Sequence, residues 1–172
     1  MVTSAVIAAL YAALTYVAVA LNLAYGPVQF RFSEALTILP VFTPAAIPGL
    51  AIGCFISNLA SPLGIVDWVF GTMATLLAAI GTRLVRDVKF KGISVLAPLP
   101  PVILNAVIIG FEIVCISEAG SFAFTNFSMS MFWPVALSVG LGQLVVCYAL
   151  GIPLMILLQK TGLSKQLETN SL

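Results

Sequence analysis

EALTILPVFTPAAIPGLAIGCFISNLA, residues 34–60, is the stretch whose reading decides the fold. As one helix it would reach roughly 40 Å. Prolines at 40, 44 and 48 and glycines at 49 and 53 break any single regular helix, because proline removes a backbone donor and clashes with the preceding turn. Two readings stand: one kinked span, or two shorter helices turning near TPAAIPG. The choice sets whether the chain has five spans or six.

The surrounding sequence makes this a question about membrane spans. The chain has 172 residues, 61% hydrophobic and 8% charged, with a mean hydropathy of +1.16. Soluble domains carry about a quarter charged residues, so the composition is that of one compact integral-membrane domain. Around 20 apolar residues cross a bilayer. Residues 3–24 meet that length, 67–85 and 101–117 are spans with polar exceptions, and 131–159 are longer than a crossing needs. The N-terminal stretch lacks the basic n-region of a signal peptide and is too long for its apolar region, so it reads as a retained transmembrane helix. Residues 1–160 form one transmembrane domain, and 161–172 a polar, frayed tail.

Charge gives sidedness. Arg83, Arg86, Lys89 and Lys91 share one loop, and Lys160 and Lys165 follow the last span; both groups are expected on the cytoplasmic side. With six spans the N-terminus is also cytoplasmic and residues 25–33 lie outside; with five these two swap. Asp67, Glu112 and Glu118 fall toward the outer half either way.

Several function classes are excluded or disfavoured. With no histidine, the chain lacks the commonest acid/base and metal ligand. Cys54, Cys115 and Cys147 have no metal-site spacing and read as buried apolar residues. No phosphate loop of the GxxxxGK[ST] type is present, so ATP-driven work would need another chain. A net charge of +1 without a basic aromatic stretch gives no nucleic-acid footprint. No internal repeat supports an inverted-repeat transporter.

Four constellations carry chemistry. In AVIAALYAAL (5–14), Ala5, Ala9 and Ala13 recur every four residues, with Ala8 and Ala12 widening the same smooth face. Such a face packs closely on another helix, of this chain or of a different subunit. In LNAVIIGFE (104–112), Asn105 and Glu112 lie two turns apart on one helix face, and a carboxylate inside a span faces a cavity, a partner or a pathway. Asn22, Asn58, Gln143 and Tyr148 read as polar glue between helices. In GIVDWVFGT (64–72), Asp67 and Trp68 form either a helix cap with an interfacial aromatic or an acid and a ring lining a pocket. In VQFRFSEAL (28–36), Ser33 suits an N-cap and Glu34 the first turn. Arg31 and Glu34 there either pair at the interface or serve a ligand.

Three segments, YGPVQFRFSEALTILP (25–40), GTMATLLAA (71–79) and LAPLPPVILNAVIIGFE (96–112), resemble the QueT family over roughly residues 3–115. Its members are substrate-binding S components of energy-coupling factor (ECF) transporters assigned to queuosine precursors. The resemblance implies an all-α integral membrane protein, an S-component-type bundle of six transmembrane helices with 34–60 as two of them. It implies no enzymatic activity and no cofactor, with ATP used by partner subunits. The implied partners are a transmembrane coupling protein, two cytosolic ATPases, the lipid bilayer and a deazapurine ligand, and no nucleic acid. Docking would use Ala5, Ala9 and Ala13, in a bacterial plasma membrane with both termini cytoplasmic. The implied ligand is 7-aminomethyl-7-deazaguanine, bound from outside beneath the first extracellular loop. Its ammonium, guanine-like donor edge, carbonyl and flat ring call for carboxylates, an amide and an aromatic. Glu112, Asn105, Gln29, Arg31, Glu34, Asp67 and Trp68 supply candidates, with Glu112 taking a donor group, Asn105 or Gln29 reading the edge, and Phe30 and Phe32 forming an apolar lid. Rival readings are an S component for another vitamin or nucleobase, and a self-contained ion-coupled transporter using Glu112 as proton carrier.

Overall fold

The computed structural model describes residues 1–24, 29–117 and 120–169. Among these the protein is all-helical. In chain order it comprises α1 (Val2–Ala20), a 3₁₀ helix (Phe32–Val41), α2 (Ala46–Asn58), α3 (Ile65–Leu84), α4 (Leu99–Cys115), α5 (Met129–Lys160) and α6 (Leu163–Thr169). Three of them, α1, α3 and α5, are long and apolar enough to cross a membrane. Their outward faces are apolar, with Val6, Leu10, Val17, Ile80, Leu137 and Leu141 all exposed, while most of the polar residues discussed below are buried. That inversion suits a lipid surround.

Residues 34–60 form two helices. The first is a 3₁₀ helix ending at Val41, with Phe42 bonded back to Leu39; the second is α2. A ten-residue 3₁₀ run is long for this geometry. Every residue from Ser33 to Val41 is buried, because the segment packs against α1, α2, α3 and both halves of α5. It is the centre of the bundle rather than one of its walls. Its last carbonyls are satisfied by α3: the Arg83 guanidinium donates to Pro40 O at 3.0 Å and Val41 O at 3.2 Å, a cation at a helix C-terminus as the dipole favours. The arginine that marks sidedness in the sequence thus also closes the central helix.

Contacts fix the direction of each helix. α1 and the 3₁₀ helix run oppositely, since Tyr11 meets Glu34 and Thr15 meets Ser33. α3 and α4 are antiparallel, with Phe70 against Phe111 at one end and Thr82 bonded to Ala97 O at the other. α5 returns along α4, placing Ala136 on Gly110 and Gly140 on Ala106. Val2 and Lys160 therefore lie at one end of the bundle with Arg83 and Arg86. Asp67 and Glu112 lie toward the other. α5 carries a π turn at Cys147–Gly151, where Pro153 deprives the helix of a donor.

α1 and α2 run side by side through small residues. A Cβ added at Gly53 would stand 2.8 Å from Ala8 O and 2.8 Å from Tyr11 Cβ, and one at Gly49 would stand 2.8 Å from Ser4 O. This small-xxx-small contact lets the backbones touch, and it divides the alanines of α1. Ala8 and Ala12 are buried on that side, whereas Ala5, Ala9 and Ala13 are exposed. The five alanines do not form one face, because residues adjacent in sequence are turned about 100° apart on a helix.

The polar tail is more ordered than its composition suggests. Residues 163–169 form α6, and Leu167 packs against both core clusters around the central helix, beside Leu39 and Val41; residues 170–172 lie outside the described residues. Ser33 does not cap the 3₁₀ helix, which starts at Phe32 without a side-chain cap. Instead its hydroxyl oxygen accepts a 2.7 Å bond from Thr15.

Gly53→Val should force α1 and α2 apart and cost about 1–3 kcal/mol, as overpacking does. Ala9→Val, on the exposed face, should stay within about 0.5 kcal/mol of wild type. Thermal unfolding in detergent separates the two; equal shifts would show that the α1–α2 contact is not close-packed.

Candidate functional site

The extended approach to the central helix reverses the usual pattern of burial. Gln29, Arg31 and Ser33 are buried while Phe30 and Phe32 are only partly so. Alternation is what extended backbone imposes, and Arg31 has φ −88° and ψ 108°. The polar side chains are thus turned into the bundle and the rings away from its centre. The stretch sits tight on α5: a Cβ at Gly142 would collide with the Gln29 carbonyl oxygen, so glycine is the residue that fits there.

Arg31 pairs with Asp67 on α3, Nη2 to Oδ2 at 3.5 Å, and not with its sequence neighbour Glu34. Asp67 does not cap α3, which begins at Ile65 after Gly64 without a side-chain cap. Its other oxygen faces Asn58 Nδ2 at 3.4 Å, and the same amide donates to Asp67 O at 2.9 Å. Asn58 therefore ties α2 to α3 at the point where Asp67 receives Arg31. Glu34 turns toward α1, where the Tyr11 hydroxyl donates to Oε1; Oε2 has no hydrogen-bond partner among the described residues.

On α4, Asn105 and Glu112 share one buried stripe with Ile109. Glu112 is fully buried, and neither carboxylate oxygen has a hydrogen-bond partner among the described residues; the same is true of Asn105 Nδ2. Asp67 and Arg31 act on Glu112 electrostatically, which places these three residues in one polar interior, and Arg31 acts likewise on Glu34. Among the described residues, the buried acidic side chains there are Glu34, Asp67 and Glu112, and the buried basic one is Arg31. A buried charge without partners costs several kcal/mol, so leftover acceptors here would be relieved by any group that brings donors or positive charge.

Trp68 belongs elsewhere. Its ring meets Phe55 of α2 edge-on, centroids 6.3 Å apart, while Phe70 meets Phe111 of α4 at 6.2 Å. Residues two apart leave a helix about 200° from each other, so Trp68 faces away from the α4 side of α3. The aromatic surface near Glu112 comes from a cluster that reading the sequence missed. Phe122 stacks on Phe70 at 5.4 Å, and Phe127 on Phe111 at 5.3 Å. Asn126 Nδ2 and Ala123 N donate to Cys115 O, fastening that loop over the end of α4. The signal was the run FAFTNF at 122–127, rich in rings for a connecting segment. Glu118 lies outside the described residues.

Gln143 accepts a bond from Cys147 Sγ at 3.5 Å, and the Tyr148 hydroxyl donates to Val95 O. The first bond stays within α5, so Gln143 joins no second helix through it; Tyr148 does act as glue, tying α5 to the segment that leads into α4. Asn22 instead holds φ 57° just beyond α1. A polar cleft of about 410 Å³ opens at the opposite end between Arg83, Arg86, Lys89 and Glu168. Its charges are of both signs and largely hydrated, unlike the interior around Glu112.

Apolar helices long enough to cross a bilayer, around a buried polar interior, define a multi-pass membrane protein. The chain belongs to the QueT transporter family, whose model, described as QueT transporter, matches residues 1–160. It is 42% identical over 76 residues to the queuosine precursor transporter QueT of Lactococcus lactis subsp. cremoris strain MG1363. That match covers 44% of this chain and 44% of the relative. No solved structure matches the chain.

Asp67→Asn leaves a buried guanidinium opposite a neutral amide and should cost about 3 kcal/mol. The double variant Arg31→Met with Asp67→Leu should recover most of that loss, since well-packed apolar pairs replace buried ion pairs at little cost. A double-mutant cycle by thermal unfolding measures the coupling; additive single effects would show the pair to be uncoupled.

Proposed function

We propose that this protein is the substrate-binding S subunit of an ATP-driven ECF importer for a queuosine precursor, with 7-aminomethyl-7-deazaguanine as ligand. The observation that carries the reading is Glu112, fully buried with both oxygens unpartnered among the described residues, in a chain of the QueT transporter family. A guanine-like edge offers two adjacent donors, which a carboxylate accepts together. Asn105 Nδ2 supplies a donor for the ligand's carbonyl. The phenylalanines around Phe111 offer faces for a flat ring. A pocket that leaves its own polar groups unpaired when a donor is missing discriminates strongly against the wrong analogue.

In this reading the chain crosses a bacterial plasma membrane six times, the central 3₁₀ helix and α2 each counting as one crossing. The 3₁₀ helix alone is about 20 Å long, and the extended Gln29–Arg31 stretch adds about 10 Å, together matching the hydrocarbon thickness. The end bearing Arg83, Arg86, Lys160 and Lys165 faces the cytoplasm with both termini, so the ligand arrives from outside past Gln29 and Arg31. No catalysis is assigned to the chain; ATP is used by two cytosolic ATPases, joined through a transmembrane coupling protein that docks on the exposed Ala5, Ala9 and Ala13.

Purified protein should bind 7-aminomethyl-7-deazaguanine saturably and far more tightly than guanine, and Glu112→Gln should weaken binding about 100-fold, the scale of a lost charged hydrogen-bonding group. Equal affinity for the two compounds would overturn the ligand, and unchanged affinity in Glu112→Gln would remove that residue from the site. Vesicles holding the chain alone should not accumulate ligand, and those with the ATPase module should. Uptake without ATP or partners would instead mark a self-contained transporter.

A further inference from the structure

We propose that Glu34, oriented by Tyr11, is the subsite for the ligand's primary ammonium, leaving Glu112 to the ring edge. The assignment rests on the deazapurine reading above and divides its work between carboxylates. Asp67 is occupied on both oxygens, Oδ2 by Arg31 and Oδ1 by Asn58. Among the described residues, Glu112 presents two unpartnered oxygens and Glu34 presents one. Two oxygens side by side suit two parallel donors on a planar edge. A single oxygen carrying negative charge suits a single ammonium, whose three hydrogens have no fixed plane.

Three further features fit Glu34 for this role. It is 1% exposed, so an ion pair formed there is little screened by water. Tyr11 is fully buried on α1 and its hydroxyl bonds Oε1, which fixes the carboxylate rotamer and leaves Oε2 to the ligand. The backbone beneath is fastened as well: Thr37 Oγ1 donates to Glu34 O at 2.6 Å, and Thr15 holds Ser33. The charge balance agrees. Among the described residues one buried guanidinium stands against three buried carboxylates, and with Asp67 matched by Arg31 the ligand's cation compensates a carboxylate whose partner there is a neutral hydroxyl. Arg31 acts electrostatically on both Glu34 and Glu112, so both carboxylates lie within reach of one guanidinium. Tyr11 is a positioning residue, since it reaches the ligand only through Glu34.

The test is a selectivity measurement on purified full-length protein. Dissociation constants are compared for 7-aminomethyl-7-deazaguanine, its 7-methyl analogue without the amine, and the analogue lacking the exocyclic 2-amino group. Glu34→Gln should reduce the preference for the amine about 10-fold or more while preserving the preference for the 2-amino group; Glu112→Gln should do the reverse. Tyr11→Phe, which keeps volume and carboxylate alike, should reduce the amine preference by a smaller factor and leave the 2-amino preference intact. It keeps the assignment testable should Glu34→Gln fail to fold. An amine preference unchanged in either Glu34→Gln or Tyr11→Phe overturns the assignment while the ligand reading survives. Wild-type protein that binds none of the three compounds overturns both.

Discussion

The structure depends on how one guanidinium and three carboxylates are held inside an apolar bundle. Each of these ions costs several kcal/mol to remove from water, and in a membrane there is no nearby solvent into which it can relax. The fold answers by giving three of the four a polar neighbour. Arg31 and Asp67 neutralise each other, Asn58 bonds Asp67 twice, and Tyr11 reaches Glu34 from α1. These contacts join five segments, α1, the central approach, the 3₁₀ helix, α2 and α3, so the polar interior sets the relative positions of helices whose outer faces are interchangeable grease. Glu112 alone among the buried carboxylates has no hydrogen bond among the described residues.

The same constraint accounts for the central position of the 3₁₀ helix. A segment bearing Ser33, Glu34 and Thr37 cannot face lipid on any side without stranding a polar group. It therefore lies in the middle, where α1 supplies Tyr11 and Thr15 and the π turn of α5 supplies Cys147, whose thiol points to Glu34 O at 3.7 Å. Enclosure on every side also requires thin walls, and the small residues provide them. Gly49 and Gly53 bring α2 onto α1, and Gly142 admits the Gln29 backbone against α5.

Much of this was legible in the sequence, for identifiable reasons. Composition and hydropathy dictated an all-helical membrane protein, and three prolines between 40 and 48 marked where residues 34–60 divide. An intramembrane carboxylate is so costly that Glu112 and its partner Asn105 stood out from their surroundings alone. What stayed hidden was tertiary choice. Arg31 lies three residues from Glu34 and 36 from Asp67, and nothing local says that it selects the distant acid. Tyr11 looked like one more residue of a smooth α1, because its partner is 23 positions away. The split among the alanines required knowing where α2 lies, and Trp68 was separated from Phe70 only by the direction in which each leaves α3. The phenylalanines at 122–127 gave a compositional hint, but their role depends on a loop folding back onto Cys115.

α1 connects the two proposed activities through little more than a single helical turn. Tyr11, which orients Glu34, lies between Ala9 and Ala13 in sequence, yet Tyr11 is fully buried and the two alanines are exposed. One rigid helix therefore presents the ligand-side hydroxyl inward and the small-residue stripe outward at the same level. Under the proposed docking, a partner pressing on Ala9 and Ala13 acts on the element that holds Glu34 without needing a chain of intermediate residues. An α1 displaced by even one ångström would break the Tyr11–Glu34 bond, since hydrogen bonds weaken steeply beyond their normal length. Close packing against Gly49 and Gly53 opposes such a shift unless α2 moves too, so α1 and α2 would travel as a unit. Coupling between ligand occupancy and docking would then consist of a two-helix displacement with a defined energetic link, which is the physical content such a claim requires.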